Sequence, residues 1–354
     1  MTNDISCKIP VVIPSFEPDE SLINVCRDLL AADLRHVVVV DDGSGTSYRH
    51  FFDEVEGMGC TVLRNAVNMG KGRALKHAFN YILNNFPDAI GCVTADSDGQ
   101  HLTKDIKSCI LELNEHPNDL VMGCRDFSGE HVPRKSKFGN NLTKRICKFL
   151  CGLNLSDTQT GLRGIPCAFM KTLLNVPGER FEFETRMLIA CKDTVNIREI
   201  KIETVYDSKE NHKTHFDPVK DSLRIYRIFG GIFAKYIFSS LSSCVIDLLL
   251  FHLFCTVLQP LSAAFYVAIA TVGARVISSV YNCIVNYKLV FQSHKGKSSA
   301  FKYFALVIVQ MCASAALTSW GVYLLSAVPE VWIKLIVDTF LFFTSFYVQR
   351  RFIF

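Results

Sequence analysis

The chain has 354 residues, of which 49% are hydrophobic, with 38 Lys and Arg against 34 Asp and Glu for a formal net charge of +4. That length exceeds one ordinary compact core, so two domains are expected, and the small charge without a basic stripe argues against nucleic acid as a partner. The 14 cysteines form no C-x-x-C pair, and Cys244, Cys255, Cys283 and Cys312 lie inside apolar runs; scattered thiols of this kind suit a reducing compartment rather than a disulfide framework.

Met1 to Pro10 lacks an apolar core of signal-peptide length, so the first domain is expected to stay in the cytosol. Ile9 to Ile13 reads as a buried strand, Asp19 to Ala32 as a helix, and His36 to Val40 and Cys60 to Leu63 as further strands. Gly70 to Asn84 follows as a helix, with Ala74, Leu75, Ala78, Phe79 and Ile82 at helical spacing, and Ala89 to Thr94 is again strand-like. Strands alternating with helices predict an α/β domain with a Rossmann-like doubly wound sheet. In such sheets ligands bind beyond the carboxyl ends of the strands.

Those ends carry acidic turns. Pro14-Ser15-Phe16-Glu17 follows the first strand, Asp41-Asp42-Gly43-Ser44 the second, and Asp96-Ser97-Asp98-Gly99-Gln100 the fourth. Any one of them is an ordinary loop, but three at strand ends bring carboxylates to one rim. Asp96-x-Asp98 offers two carboxylates to a hard divalent cation that bridges a diphosphate. Asn68 to Arg73 opens a helix with glycines and two cations, a cradle for that diphosphate, although the Walker pattern is absent.

Together with Gly123-x-Arg125-x-Phe127, Asp157-x-Gln159-Thr160-Gly161-Leu162-Arg163 and Arg180-Phe181-Glu182-Phe183-Glu184, these motifs resemble family-2 glycosyltransferases of GT-A fold. The resemblance is to the branch of dolichol-phosphate mannosyltransferase and polyprenyl-phosphate glycosyltransferases. It implies that Asp41 or Asp42 contacts the nucleoside of a UDP- or GDP-linked sugar, with Pro14 and Glu17 lining the pocket. Lys71 and Arg73 would face the diphosphate, while Asp96, Asp98 and Gln100 would hold Mg²⁺ or Mn²⁺. The implied acceptor, a polyprenyl phosphate, is already anionic near neutral pH, so positioning and charge screening outweigh base catalysis. Arg125, Arg134 and Arg163 are the candidates for gripping that phosphate, because a guanidinium fork suits it. Asp157 is the candidate for orienting or activating the nucleophile, beside Asp98 as the second catalytic acid. Gln159 to Gly164 lacks the Q-x-x-R-W of processive synthases, which favours transfer of one sugar. A processive synthase, or a transporter of lipid-linked sugars whose soluble domain only binds nucleotide, are the alternatives.

Four apolar segments follow, at Ile232 to Leu258, Ala263 to Tyr287, Tyr303 to Val328 and Val331 to Val348, each near or above the ~20 residues that cross a bilayer as helix. Arg224, Arg227 and Lys235 stand at the start of the first, Lys288, Lys295, Lys297 and Lys302 between the second and third, and Arg350 and Arg351 after the fourth. The positive-inside rule then predicts a multi-pass protein of the cytoplasmic membrane with both termini and the catalytic domain in the cytosol. The layout resembles the GtrA-type membrane domain. His215 to Phe229 alternates basic and apolar residues as an interfacial helix does, and His212-x-x-His215 reads as solvated. The expected division is 1–215, an interfacial linker at 216–230, and a four-helix membrane domain at 231–354.

Val280 to Phe291 echoes Phe343 to Phe354, pairing Asn286 with Gln349, Lys288 with Arg351 and Phe291 with Phe354. Asp247, Arg275 and Asp338 fall at a similar depth of roughly 18 to 20 Å from the cytoplasmic ends. A lone charge there costs about 2.5–3.5 kcal/mol, which predicts their mutual pairing, as a packing device or along a headgroup path. The sequence leaves open the donor sugar and whether the chain forms a homo-oligomer.

Overall fold

A computed structural model describes residues 8–125, 141, 143–145, 147–191, 194–203, 220–258, 266–291, 298–325, 328 and 330–354. Val11-Val12-Ile13-Pro14-Ser15 is completely buried, and it forms the central strand β1 (Val11–Ser15). Because side chains alternate along a strand, its odd and even positions feed two separate cores. Val11 and Ile13 pack with Leu22, Ile23, Phe52 and Ile106, whereas Val12 packs with Ala74, Leu75, Phe79, Phe169 and Phe183. Helices therefore cover both faces, as continuous apolar strands require.

In chain order the remaining elements are α1 (Glu20–Ala31), β2 (Val37–Asp41), α2 (Arg49–Gly57), β3 (Thr61–Arg64), α3 (Lys71–Asn85), β4 (Gly91–Thr94), α4 (Thr103–Glu115), β5 (Leu120–Arg125), β6 (Arg163–Pro166), α5 (Cys167–Leu173), α6 (Glu182–Cys191) and β7 (Ile197–Ile202). The seven strands lie in the order β3-β2-β1-β4-β6-β5-β7. All pair in parallel except β6, which runs antiparallel to both β4 and β5. The expected α/β sheet is thus present as a mixed one. The winding reverses between β1 and β4, the switch point at which such sheets hold ligands.

The chain divides into one compact unit of Met1–Lys148 with Leu153–Ile225 and another of Phe149–Gly152 with Tyr226–Phe354. The second is all helical: α7 (Lys220–Leu258) enters it, followed by α8 (Tyr266–Val285), α9 (Ser298–Leu324) and α10 (Glu330–Val348). The basic-apolar stretch from Lys220 to Phe229 is helical and forms the first turns of α7, and His212 and His215 lie outside the described residues. Among the described residues, Gly230–Leu258 is long and apolar enough to cross a membrane, with a mean hydropathy of 2.1. Leu248, Leu249, Ile308, Ile336 and Phe340 are exposed, an apolar surface suited to lipid rather than water.

The repeated segments repeat in space. α8 and α10 each run into a π-helical turn, Asn286–Val290 and Gln349–Ile353. The turns close on Phe291 and Phe354, whose N–H groups donate to the carbonyls of Asn286 and Gln349 at 2.9 and 2.8 Å. The two rings stack with centroids 5.4 Å apart.

Asp247 Oδ2 lies 3.3 Å from Arg275 Nη2, and Ser278 Oγ donates to Asp247 Oδ1 at 2.8 Å. Asp338 Oδ1 accepts from Ser314 Oγ at 2.6 Å. Two members of the expected charge cluster are therefore an ion pair between α7 and α8, with Asp247 half-buried and Arg275 exposed.

Candidate active site

The ends of β1, β2, β4 and β5 open into a cleft of about 610 Å³, which Pro14, Glu17, Lys71, Asp96, Asp98 and Gln100 help to line. Glu17 holds a positive φ of 47°, and its N–H donates to Ser44 Oγ at 2.8 Å. Ser44 N in turn donates to Asp41 Oδ1 at 2.8 Å. Asp42 is buried and fully engaged: Oδ1 accepts from Asn65 Nδ2 and Met69 N, and Oδ2 accepts from Gly70 N at 2.6 Å. It lines the cleft, whereas Asp41 does not. The acidic pair after β2 thus shapes two loops.

Gly70, with φ of 102°, is the N-cap of α3. A β-carbon there would strike Arg180 and the Glu179 carbonyl, and one on Gly72 would come 2.5 Å from Phe183 Cβ. These glycines let the first turn of α3 press against the segment leading into α6. Lys71 Nζ then reaches Asp96 Oδ1 at 2.7 Å and Glu184 Oε1 at 3.1 Å. Arg73 does not line the cleft. Two residues along a helix is a turn of about 200°, and its Nε pairs with Glu179 Oε2 at 2.6 Å. Lys76 is buried and donates to the Gly178 carbonyl at 2.9 Å.

Asp96 is enclosed on three sides, by Lys71, by His101 Nε2 at 3.3 Å from Oδ2, and by Gly161, where any β-carbon would collide with the carboxylate. Burial opposes its charge, but Lys71 and His101 outweigh burial and hold its pKa well below the ordinary value. Asp98 behaves oppositely: burial, then the charge of Asp96, lift its pKa, although Gln100 N donates to Oδ1 at 3.0 Å. Among the described residues no group of three or more His, Cys, Asp or Glu side chains stands ready to hold a metal. Asp96, Asp98 and Gln100 nonetheless fit a divalent cation of the kind bound through two carboxylates and a substrate diphosphate. The repulsion by Asp96 that adds to burial at Asp98 is what such a cation would relieve.

The arginines divide. Arg125 lines the cleft, with Nε 2.7 Å from Asp157 Oδ2 and Nη2 3.2 Å from Oδ1. Asp157 is 0% exposed, also accepts from Gln159 N at 3.0 Å, and does not line the cleft. The expected phosphate-gripping arginine and the expected nucleophile-orienting aspartate are partners of each other. Arg163 is 1% exposed, so it does not reach an acceptor: it donates to the carbonyls of Thr160 and Glu184, at 3.0 and 2.9 Å. Arg134 lies outside the described residues. Arg180 and Glu184, quoted only as motif positions, do line the cleft, and Arg180 is its exposed cation.

Carboxylates, a lysine and two arginines thus meet at the switch point of a GT-A-like sheet. Residues 11–174 match the family model described as glycosyl transferase family 2, and residues 233–354 match the one described as GtrA/DPMS, transmembrane domain. The chain thus carries a glycosyl transferase family 2 domain followed by a GtrA/DPMS transmembrane domain. It is 28% identical over 225 residues to the UDP-N-acetylglucosamine–dolichyl-phosphate N-acetylglucosaminyltransferase of Methanococcus voltae, covering 56% of this chain and 86% of that relative. An uncharacterised protein of Methanocaldococcus jannaschii is 27% identical over 204 residues, covering 56% of this chain and 82% of its own length. Glucosyl-3-phosphoglycerate synthase from Mycobacterium tuberculosis, solved with Mn²⁺, UDP-glucose and phosphoglyceric acid, is similar with a TM-score of 0.45 and 16% identity, covering 64% of this chain and 78% of that one.

Proposed function

We propose that this glycosyltransferase moves one sugar from a UDP- or GDP-linked donor to a polyprenyl phosphate at the cytoplasmic face of a membrane. The observation that carries the reading is the Lys71–Asp96–Asp98 group at the switch point of a chain with a GtrA/DPMS transmembrane domain. The similarity to a transferase named for a dolichyl-phosphate acceptor supports the class of acceptor.

Asp96, Asp98 and Gln100 would hold Mg²⁺ or Mn²⁺, which when bound would neutralise charge on the departing nucleoside diphosphate. Pro14 and Glu17 line the donor pocket beside the loops that Asp41 and Asp42 hold. Lys71 meets the diphosphate from the first turn of α3, where the helix dipole adds its own attraction for anions. Arg125, kept in place by Asp157, and Arg180 face the cleft as the cations that draw in an anionic acceptor. Arg163 and Arg73 tie the scaffold behind these groups. Because the acceptor phosphate is already an anion, orientation of its oxygen toward the anomeric carbon, with inversion, is the main demand on the protein.

The basic residues flanking the apolar helices support a multi-pass arrangement with both termini cytoplasmic. Full-length protein in detergent, given polyprenyl phosphate and a panel of UDP- and GDP-sugars, is expected to form a lipid carrying one sugar. Longer glycans, or nucleoside diphosphate release that does not depend on the lipid, would refute the proposal.

A further inference from the structure

Lys71 lines the cleft, but its ammonium is held by carboxylates at the cleft wall. Its side chain is 16% exposed, its Nζ touches Asp96 and Glu184 at 2.7 and 3.1 Å, and it lies 5.9 Å from the centre of the Phe181 ring. The close approach at Gly70 and Gly72 brings α3 to Glu184, and Gly161 backs Asp96 so that its carboxylate stays against the ammonium. A divalent cation that takes Asp96 Oδ1 therefore meets a positive charge already seated on that oxygen. Like charges at such range in a partly desolvated site repel strongly.

We propose that Lys71 is a resident counter-cation, seated on Asp96 and Glu184 while the cleft is empty and transferred to the donor diphosphate when that diphosphate brings the metal to Asp96 and Asp98. The inference rests on the metal reading given above. A metal arriving alone has to displace Lys71 and offers it no new partner. A metal arriving with a diphosphate supplies one, because the flexible lysine stem lets the ammonium pivot from carboxylate to phosphate. Metal and nucleotide consequently bind with positive coupling, and Lys71 is the positioning residue that couples them.

The test is Mn²⁺ binding to the full chain in detergent, read from the electron paramagnetic resonance signal of free Mn²⁺, without nucleotide and with UDP or GDP. In the unmodified protein nucleotide is expected to tighten Mn²⁺ binding roughly tenfold or more. Lys71→Met and Lys71→Gln are expected to bind Mn²⁺ without nucleotide roughly tenfold more tightly than the unmodified protein, and to lose most of the nucleotide effect. The glutamine variant keeps a hydrogen-bond donor for Asp96, and a thermal midpoint verifies that each variant is folded. A folded variant that binds Mn²⁺ no more tightly, while the unmodified protein binds it with nucleotide, overturns the exchange and leaves the metal reading intact. Failure of every protein to bind Mn²⁺, even with nucleotide, overturns both.

Discussion

Asn286 Nδ2 donates to Gln349 Oε1 at 2.9 Å, joining the two residues that hold the same place in the repeated segments of the membrane domain. Gln349 Nε2 also donates to Ser345 Oγ at 2.9 Å, and Asn286 Nδ2 to Asn282 Oδ1 at 2.6 Å. Both amides are buried, where an unpaired polar group is costly. Replacing Asn286 by Leu is expected to weaken the bundle by about 1 kcal/mol. The Asn286→Leu/Gln349→Leu pair should cost less than the sum of the single changes, as unfolding in mixed detergent micelles can measure.

The Arg125–Asp157 pair predicts a stability defect as well as a catalytic one. Asp157→Ala leaves a partly buried guanidinium without its carboxylate, expected to cost about 3 kcal/mol. Asp157→Ala combined with Arg125→Ala should recover part of that loss in a thermal or denaturant titration. Were Asp157 purely an activator of the acceptor, turnover would fall while the midpoint stayed in place.

Arg180 gives the opposite signature. It is exposed on the cleft wall, so Arg180→Ala should leave the unfolding midpoint unchanged and lower kcat/KM roughly tenfold, the loss of one charge-assisted contact. Steady-state kinetics with donor and lipid varied separately would show which phosphate it serves.

Stability should depend on pH in a way that separates Asp98 from its neighbours. For Lys71, burial is outweighed by Asp96 and Glu184, so its pKa lies above 10.5, and its contribution is complete below 10.5 and lost only as pH rises through the folded value. For Asp96, burial is outweighed by Lys71 and His101, so its pKa lies below 3.8, and its contribution is complete above 3.8 and lost as pH falls through the folded value. Asp98 is raised above 3.8 by burial and by Asp96. Its folded form holds a proton that the unfolded chain releases, so stability falls as pH rises through that interval. Asp98→Asn is therefore expected to raise the metal-free unfolding midpoint at neutral pH and to leave it unchanged in acid below the ordinary carboxylate range. An unchanged midpoint at both pH values would contradict the assignment.

β1 to β4, α1 and α3 are legible from local apolar spacing, whereas α4 and β5, whose apolar spacing is equally local, are not among the elements read from the sequence. Ala74 to Ile82 marked α3, and the acidic turns after β1, β2 and β4 marked the rim. β6 was not legible as a strand, because Arg163–Pro166 owes its conformation to antiparallel pairing with two distant strands. That is why Arg163, the long cation of its motif, was expected at the acceptor and is instead buried. Arg73 illustrates a signal that was present: helical geometry alone sets it opposite Lys71. Asp41 and Asp42 were indistinguishable in the sequence, since only the fold shows which of them holds the loop that ends at Gly70. The match between Arg125 and Asp157 spans 32 positions, and no local pattern announces it.

The most direct test of the account is the rate of lipid-linked sugar formation by the full chain in Mg²⁺ or Mn²⁺, set beside the same rate for Asp98→Ala and in excess chelator. The account predicts a drop of roughly a hundredfold or more in both, with nucleoside diphosphate and glycolipid appearing one for one in the unmodified enzyme. Undiminished transfer by Asp98→Ala, or full activity in chelator, would contradict it.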